Sequence, residues 1–377
     1  MSTTSFWLDE PHEPLPNVRL AGAPDVAVVG GGITGCSCAL TLAEAGLRVR
    51  LYEAREIAGG ASGRNGGFAL RGGAAPYPVL AESIGREQAA GLWRWTEDAI
   101  AALADGAGDA FRSTGSLRLA ADDEERAELD EEFEALRADG FAVEWVDELE
   151  APLRGRYPGA IFHPPDGVLQ PARLVRRLAR RAAEAGVEIR EHERVAGASE
   201  TRAETVVVAT DGYPSGLLGP LEGLIVPTRG QVIATEPADE RVFETPHYGR
   251  HGFDYWHQRP DGRIVAGGFR DVSLQDEFTA DEVTTEPVQR ALEEFVQSLV
   301  GRALRVEYRW AGIFGLVLDF LPVVGRVPDH DGLWVAGGYS GHGNVLGFAC
   351  GKLVANAILG NRHPLLDLFE PTRLVAV

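Results

Sequence analysis

Three glycines in "GGGITG" (Gly30, Gly32 and Gly35) stand at G-x-G-x-x-G spacing, and Glu53 follows about twenty residues later. Those residue types at that spacing bind a dinucleotide. Gly30 permits a tight turn, Gly32 lets a pyrophosphate approach bare backbone, and Gly35 lets helix and strand pack closely. Ile33 and Thr34 open a helix whose N–H groups and positive end face the phosphates. Glu53, followed by Ala54 and Arg55, would accept hydrogen bonds from a ribose diol.

A second glycine-rich stretch, "GASGRNGG" (Gly60 to Gly67), begins soon after that acid. Bare backbone there can touch a flat ring and a phosphate without steric cost. Ser62 and Arg64, beside Ala61, are candidates for pyrophosphate oxygens; Asn65, Gly66 and Gly67 are candidates for a ring edge. A flexible surface loop would share this composition. A buried flavin, unlike a nicotinamide, needs such a loop. Two more segments agree. "ETVVVATDGYPS" is a buried strand ending in a small-residue turn at Ala209, Thr210 and Gly212. "DGLWVAGGYSGHGNVLGFACGKLVANAILG" is strand, turn and helix, with Gly338, Tyr339, Gly341, His342, Gly343 and Asn344 at the turn. A helix start aimed at a flavin pyrimidine would stabilise the negative charge of reduction.

The elements that must position these residues are strand, helix, strand: "VAVV", "CSCALTLAEAG" and "RVRLYEA". That order predicts an α/β fold with a Rossmann-type sheet. The 377 residues are 45% hydrophobic, enough for two or three domain-sized units. Net charge is −20, without the basic stripe of a nucleic-acid binder. "RRLARRAAEAG" reads as one solvated face of an amphipathic helix, and Ala121 to Gly140 as a solvated acidic helix with Leu129, Phe133 and Leu136 on one face. No run approaches the ~18 apolar residues of a membrane span, and residues 1–24 lack a signal-peptide core. Three cysteines (Cys36, Cys38 and Cys350) argue against a disulfide framework and for a reducing, cytoplasmic setting; no metal site is expected.

The chain resembles an FAD-dependent oxidoreductase of the D-amino acid oxidase superfamily, in its glycine/sarcosine oxidase group and nearest the γ-glutamylputrescine oxidase-like branch. The resemblance rests on "SFWLDE", "VAVVGGGITG", "GASGRNGG", "VVVATDGY", "TRGQVIATEP", "YWHQRPDGRIVAGG", "RWAGIFGLVLDFLPVVGR" and "GGYSGHGNVLG". It implies non-covalent FAD, held by an FAD domain gathered from residues 20–85, 155–215 and 325–370. An antiparallel-sheet, α+β substrate domain would take 86–154 and 216–324, with 1–19 as an N-terminal extension. Val195 would present its backbone to the adenine, although "AGASETRA" replaces the small β-meander usual beside it.

The implied chemistry is removal of a hydride equivalent from the carbon next to a neutral amine nitrogen. By the resemblance, Phe68 lines the flavin's substrate face and Tyr255 touches substrate. His257 shares a strand face with Tyr255, as a site residue or a plain sheet histidine. Trp310 is pocket wall or core. Glycine oxidases hold the substrate carboxylate with arginines after the Trp-Ala-Gly-x segment and in the C-terminal turn. Here those places carry Phe314 and Gly341 with His342, which cannot form a guanidinium clamp. An amine without a carboxylate at its reacting end therefore fits best, with Arg229, Arg259 or Arg270 left to bind a distal one. The single lysine, Lys352, falls in the C-terminal helix, so a fixed cation for O₂ activation would have to come from arginine or from His257 or His342. The expectation is an amine oxidase releasing peroxide. Alternatives are a D-amino or N-methyl amino acid oxidase or dehydrogenase using a non-oxygen acceptor, and a flavin-binding protein without turnover. Oligomeric state is not legible.

Overall fold

The structure is a computed structural model that describes residues 4–149 and 151–375. Short apolar runs without alternation form a six-stranded sheet. Its order is Val323–Arg326, Leu333–Gly337, Thr205–Val208, Val26–Val29, Val49–Tyr52, Glu188–Arg190. All neighbours are parallel except the first pair, so the sheet is buried on both faces. Val26, Val28, Val49, Leu51 and Val207 pack under the helices on one face. Ala27, Val29, Val206 and Val208 face the segment carrying Leu217, Leu221 and Ile225. The helix Ile33–Glu44 leaves the first strand through the glycine turn. A Cβ on Gly35 would sit 1.8 Å from the Gly30 carbonyl oxygen, so only glycine lets this helix start so close to the strand.

Alternating and aromatic-rich runs form an eight-stranded sheet, ordered Val306–Leu316, Val226–Pro237, Arg263–Gly268, Asp254–Gln258, His247–Gly249, Ser116–Leu119, Ala160–His163, Glu144–Val146. Its pairs are antiparallel except His247–Gly249 beside Ser116–Leu119. The Pro260–Gly262 turn joins two of these strands as a hairpin. The register lines up Arg118, Tyr248, Tyr255, Gly267, Val232 and Trp310 across neighbouring strands. Directly opposed residues share a face, so this row looks toward the glycine-rich loop.

The acidic segment is the helix Asp123–Ala138, started by the Asp122 carboxylate accepting from Glu125 N. The basic one is Pro171–Glu184, whose Arg173 and Arg177 pair with Glu10 and Asp109. The N-terminal segment, expected as an extension, does structural work. Trp7 is fully buried and donates from Nε1 to the Asn65 carbonyl at 2.7 Å, and Ser5 donates to the Gly63 carbonyl at 2.6 Å.

Candidate active site

The carboxyl ends of the parallel strands open into a cavity that gathers residues from both glycine-rich stretches. Its wall takes in Gly30, Gly32, Ile33 and Thr34 at the first turn, then Glu53, Ala54 and Arg55 after the second strand. Ala61, Ser62 and Asn65 come from the glycine-rich loop, Val195 from the segment after the edge strand Glu188–Arg190, and Ala209 and Thr210 from "VVVAT". Phe314, Tyr339, Gly341, Gly343 and Asn344 complete it. Residues far apart in sequence thus meet at one strand-end crevice, where open α/β sheets bind ligands.

The donor set suits a dinucleotide. Glu53 is oriented by two backbone donors: Gly31 N gives to Oε2 and Arg55 N to Oε1, both at 2.7 Å. Ser62 Oγ accepts from Ile33 N at 3.0 Å, which leaves its proton for a phosphate oxygen. Thr210 Oγ1, on the cavity wall, is buried with no partner in the protein. A buried hydroxyl in that condition costs stability until a ligand satisfies it.

Arg64 departs from expectation. Its Nε donates to the Gly59 carbonyl at 3.0 Å and lies 3.1 Å from the Glu282 carboxylate, while Nη1 reaches the Ala311 carbonyl. The guanidinium ties the loop to neighbouring backbone and is absent from the cavity wall. Asn65 is also spent on structure. Its amide pairs with that of Asn344 at 3.1 and 3.0 Å, and its Oδ1 accepts from Gly67 N. Asn344 Nδ2 donates on to the Phe68 carbonyl at 2.8 Å. Gly35, Gly66, Gly67, Gly212, Gly338 and His342 stand behind the wall. A Cβ on Gly66 would lie 2.6 Å from the Tyr255 ring and one on Gly212 2.4 Å from the Phe314 backbone.

Phe68, Tyr255 and His257 form an aromatic cluster beside this loop. Phe68 packs edge-on against Tyr255 (5.6 Å) and His257 (5.5 Å). His257 stacks on Trp7 at 6.1 Å, and its Nε2 lies 3.0 Å from the Gly66 carbonyl. A carbonyl can only accept, so Nε2 carries a proton. Burial pushes the His257 pKa down to about 3 and that of His342 to about 4. Both are neutral near pH 7, so neither supplies the fixed positive charge considered for them. Burial pushes the Tyr255 phenol up to about 12. Lys352 lies over the Phe348 ring, 5.3 Å from its centroid. Trp310 is fully buried and donates to the Arg64 carbonyl at 2.9 Å, so it is core that also fixes the loop.

Sequence reasoning passed over Trp7, Asp211 and Glu282. Asp211 lines the cavity at φ 48° and accepts from Gly315 N at 2.9 Å and Gly338 N at 2.8 Å. It clamps a strand of the larger sheet to the turn before the last long helix. The "ATDGY" run was its only signal. Glu282 accepts from Arg55 at 2.9 Å and from the Tyr213 hydroxyl at 2.5 Å.

A parallel sheet with a glycine turn, an acid after its second strand and a crevice at the strand ends is the arrangement of dinucleotide-binding oxidoreductases. The family described as DAO, FAD dependent oxidoreductase, matches residues 25–357, and the chain belongs to it; its cofactor is FAD. γ-Glutamylputrescine oxidoreductase of Escherichia coli strain K12 is 29% identical over 389 residues, covering 95% of this chain and 89% of that protein. Glycine oxidase of Bacillus licheniformis is 27% identical, covering 94% and 98%. In fold, the crystal structure of glycine oxidase from Geobacillus kaustophilus matches with a TM-score of 0.75 at 24% identity, covering 94% of this chain and 99% of that one. Among the described residues no helix is long and apolar enough to cross a membrane, and no cluster could hold a metal ion.

Proposed function

We propose that the protein oxidises the C–N bond of an amine, of the kind named in its relative γ-glutamylputrescine oxidoreductase, with O₂ as the terminal acceptor. In this reading the 30–35 turn, Ser62 and Thr210 hold the FAD pyrophosphate, Glu53 the ribose and Val195 the adenine. FAD held there would supply the acceptor for the hydride equivalent. Phe68, Tyr255 and the neutral His257 orient the substrate and exclude water. Desolvation there favours the uncharged amine, whose lone pair assists loss of the hydride. The imine product hydrolyses to a carbonyl compound and ammonia or a smaller amine, and peroxide carries off the electrons.

The observation that carries the reading is the chemistry of Phe314 and the Gly338–Asn344 turn. Neither offers a guanidinium for an α-carboxylate, and His342 is neutral. A second reading, transfer of electrons to a non-oxygen acceptor, is favoured by that same neutrality of His257 and His342. The division into an FAD domain (20–85, 155–215, 325–370) and a substrate domain (86–154, 216–324) belongs to this proposal. So do non-covalent attachment, supported by three buried cysteines, and a cytoplasmic location.

Anaerobic mixing with γ-glutamylputrescine, putrescine, sarcosine, glycine and D-alanine tests it. The expected result is flavin bleaching by amines only, with fast return of colour and peroxide on admitting air. Bleaching by the amino acids alone would overturn the substrate reading. Slow return of colour would favour the second acceptor.

A further inference from the structure

The strand Arg263–Gly268 ends in an unusual turn. Gly268 has φ 114° and Phe269 φ 57°, and Phe269 N donates to the Phe253 carbonyl at 2.6 Å. Positive φ is rare for a bulky residue. Here it swings the chain back over its neighbour strand. Arg270, next in line, lands on the Phe253 ring with its guanidinium carbon 4.1 Å from the centroid and 5.9 Å from that of Phe314.

Arg270 is half-buried and, among the described residues, makes no hydrogen bond or ion pair. Burial lowers its pKa, and the acids nearest it are committed elsewhere. Asp271 pairs with Arg250 at 2.8 Å, and Glu277 with Arg229 at 2.8 Å. Of the three arginines considered for a distal carboxylate, Arg229 is therefore neutralised. Arg259 is stacked between Phe6 and Trp7 near Asp261. Arg259 Nε is buried without a hydrogen-bond partner, but its guanidinium faces the Asp261 carboxylate at 3.6 Å; Arg270 has no acid paired to it among the described residues and lies against Phe314 of the cavity wall. Stacking occupies a face of the guanidinium and leaves its N–H edge, a planar fork that matches a carboxylate. A half-buried cation without a counter-ion is costly, and a bound anion would offset that cost. Phe314 lines the cofactor cavity and Arg270 does not, so the guanidinium lies one ring beyond that wall. Its charge still acts on Tyr255.

We propose that Arg270 is a specificity-determining residue that holds a carboxylate carried by the substrate away from its nitrogen-bearing carbon. This rests on the amine-oxidation reading above. The test uses oxidised holoenzyme and two non-oxidisable probes, glutarate and adipate, with glutaramide as the neutral control. Binding is read from the flavin visible spectrum and from thermal shift. The expected result is saturable binding of at least one dicarboxylate to wild type, none of glutaramide, and at least about tenfold weaker binding to Arg270→Gln, the scale of one charge-assisted bond. Arg270→Lys keeps the charge without the fork and should fall between. FAD content and melting temperature of both variants check folding. Equal binding to wild type and Arg270→Gln, or no dicarboxylate binding to wild type, overturns the proposal. In turnover, Arg270→Gln should raise KM for γ-glutamylputrescine while leaving that for putrescine unchanged. A wild-type flavin that bleaches with no amine overturns the reaction reading, and the dicarboxylate arms still decide Arg270.

Discussion

On the six-stranded side, the cavity wall offers backbone as well as side chains. Gly30, Gly32 and the start of the Ile33–Glu44 helix bring bare backbone to it, and of the side chains there Glu53 and Ser62 are tied to backbone N–H groups. On the eight-stranded side, the surface beside the loop is side chain: Phe68, Tyr255, His257 and Phe314, with Arg270 behind. The first wall depends on residues close together in the chain. The second can change one residue at a time without disturbing the sheet. The difference teaches where each wall is encoded: in local spacing on one side, in cross-strand register on the other.

Perturbing the junction between the walls should cost most. Asp211→Ala orphans the N–H groups of Gly315 and Gly338, each worth about 1–3 kcal/mol when left unsatisfied. Calorimetry should show a large fall in melting temperature together with loss of FAD. Next comes the loop itself. Gly66→Val puts atoms into the Tyr255 ring, an overpacking cost of about 1–3 kcal/mol. Purified protein should be folded by circular dichroism but depleted of yellow colour; normal FAD content would contradict the close approach.

The buried histidines should show themselves through pH. Buried His247 and His257 are held near 3, against about 6.5 when unfolded. Between those values only the unfolded chain takes up the protons. Stability is therefore full above pH 6.5 and falls as pH drops toward 3, by up to about 1.4 kcal/mol per unit for each histidine. His257→Phe should flatten melting temperature against pH in that window, at the cost of the Gly66 hydrogen bond, about 1 kcal/mol. The smallest effect belongs to Glu282→Gln. Its pair with the half-exposed Arg55 is worth about 0.2–1 kcal/mol, and toward the largely buried Arg64 the glutamine oxygen still accepts a hydrogen bond. FAD dissociation, followed by fluorescence, should quicken severalfold at most.

The contrast also explains what was legible. The first wall was, because glycine spacing, a following acid and flanking apolar runs lie within one stretch of chain. The sheet class and the hairpin at Pro260–Gly262 followed from the same local rules. Arg64 was misjudged because its partners, the Gly59 and Ala311 carbonyls and Glu282, are backbone atoms or distant residues that composition does not reveal. The role of Trp7 under Asn65 depends on the N-terminal segment crossing the molecule. That Arg270 keeps its donors while Arg229 does not depends on which acids the fold brings near each. Charge state is likewise a tertiary property: His257 and His342 are neutral because they are buried, and nothing in the sequence states burial.

The central claim is that the pocket acts by orienting and desolvating a neutral amine, without a protein base that titrates near neutrality. The direct test is the rate of anaerobic flavin reduction by γ-glutamylputrescine from pH 5 to 10, in wild type and His257→Phe. The account expects a single rising limb, set by the bound amine losing its proton, with the same midpoint in both proteins. A second ionisation near pH 6–7 that disappears in His257→Phe would make that histidine an acid–base catalyst and contradict the account.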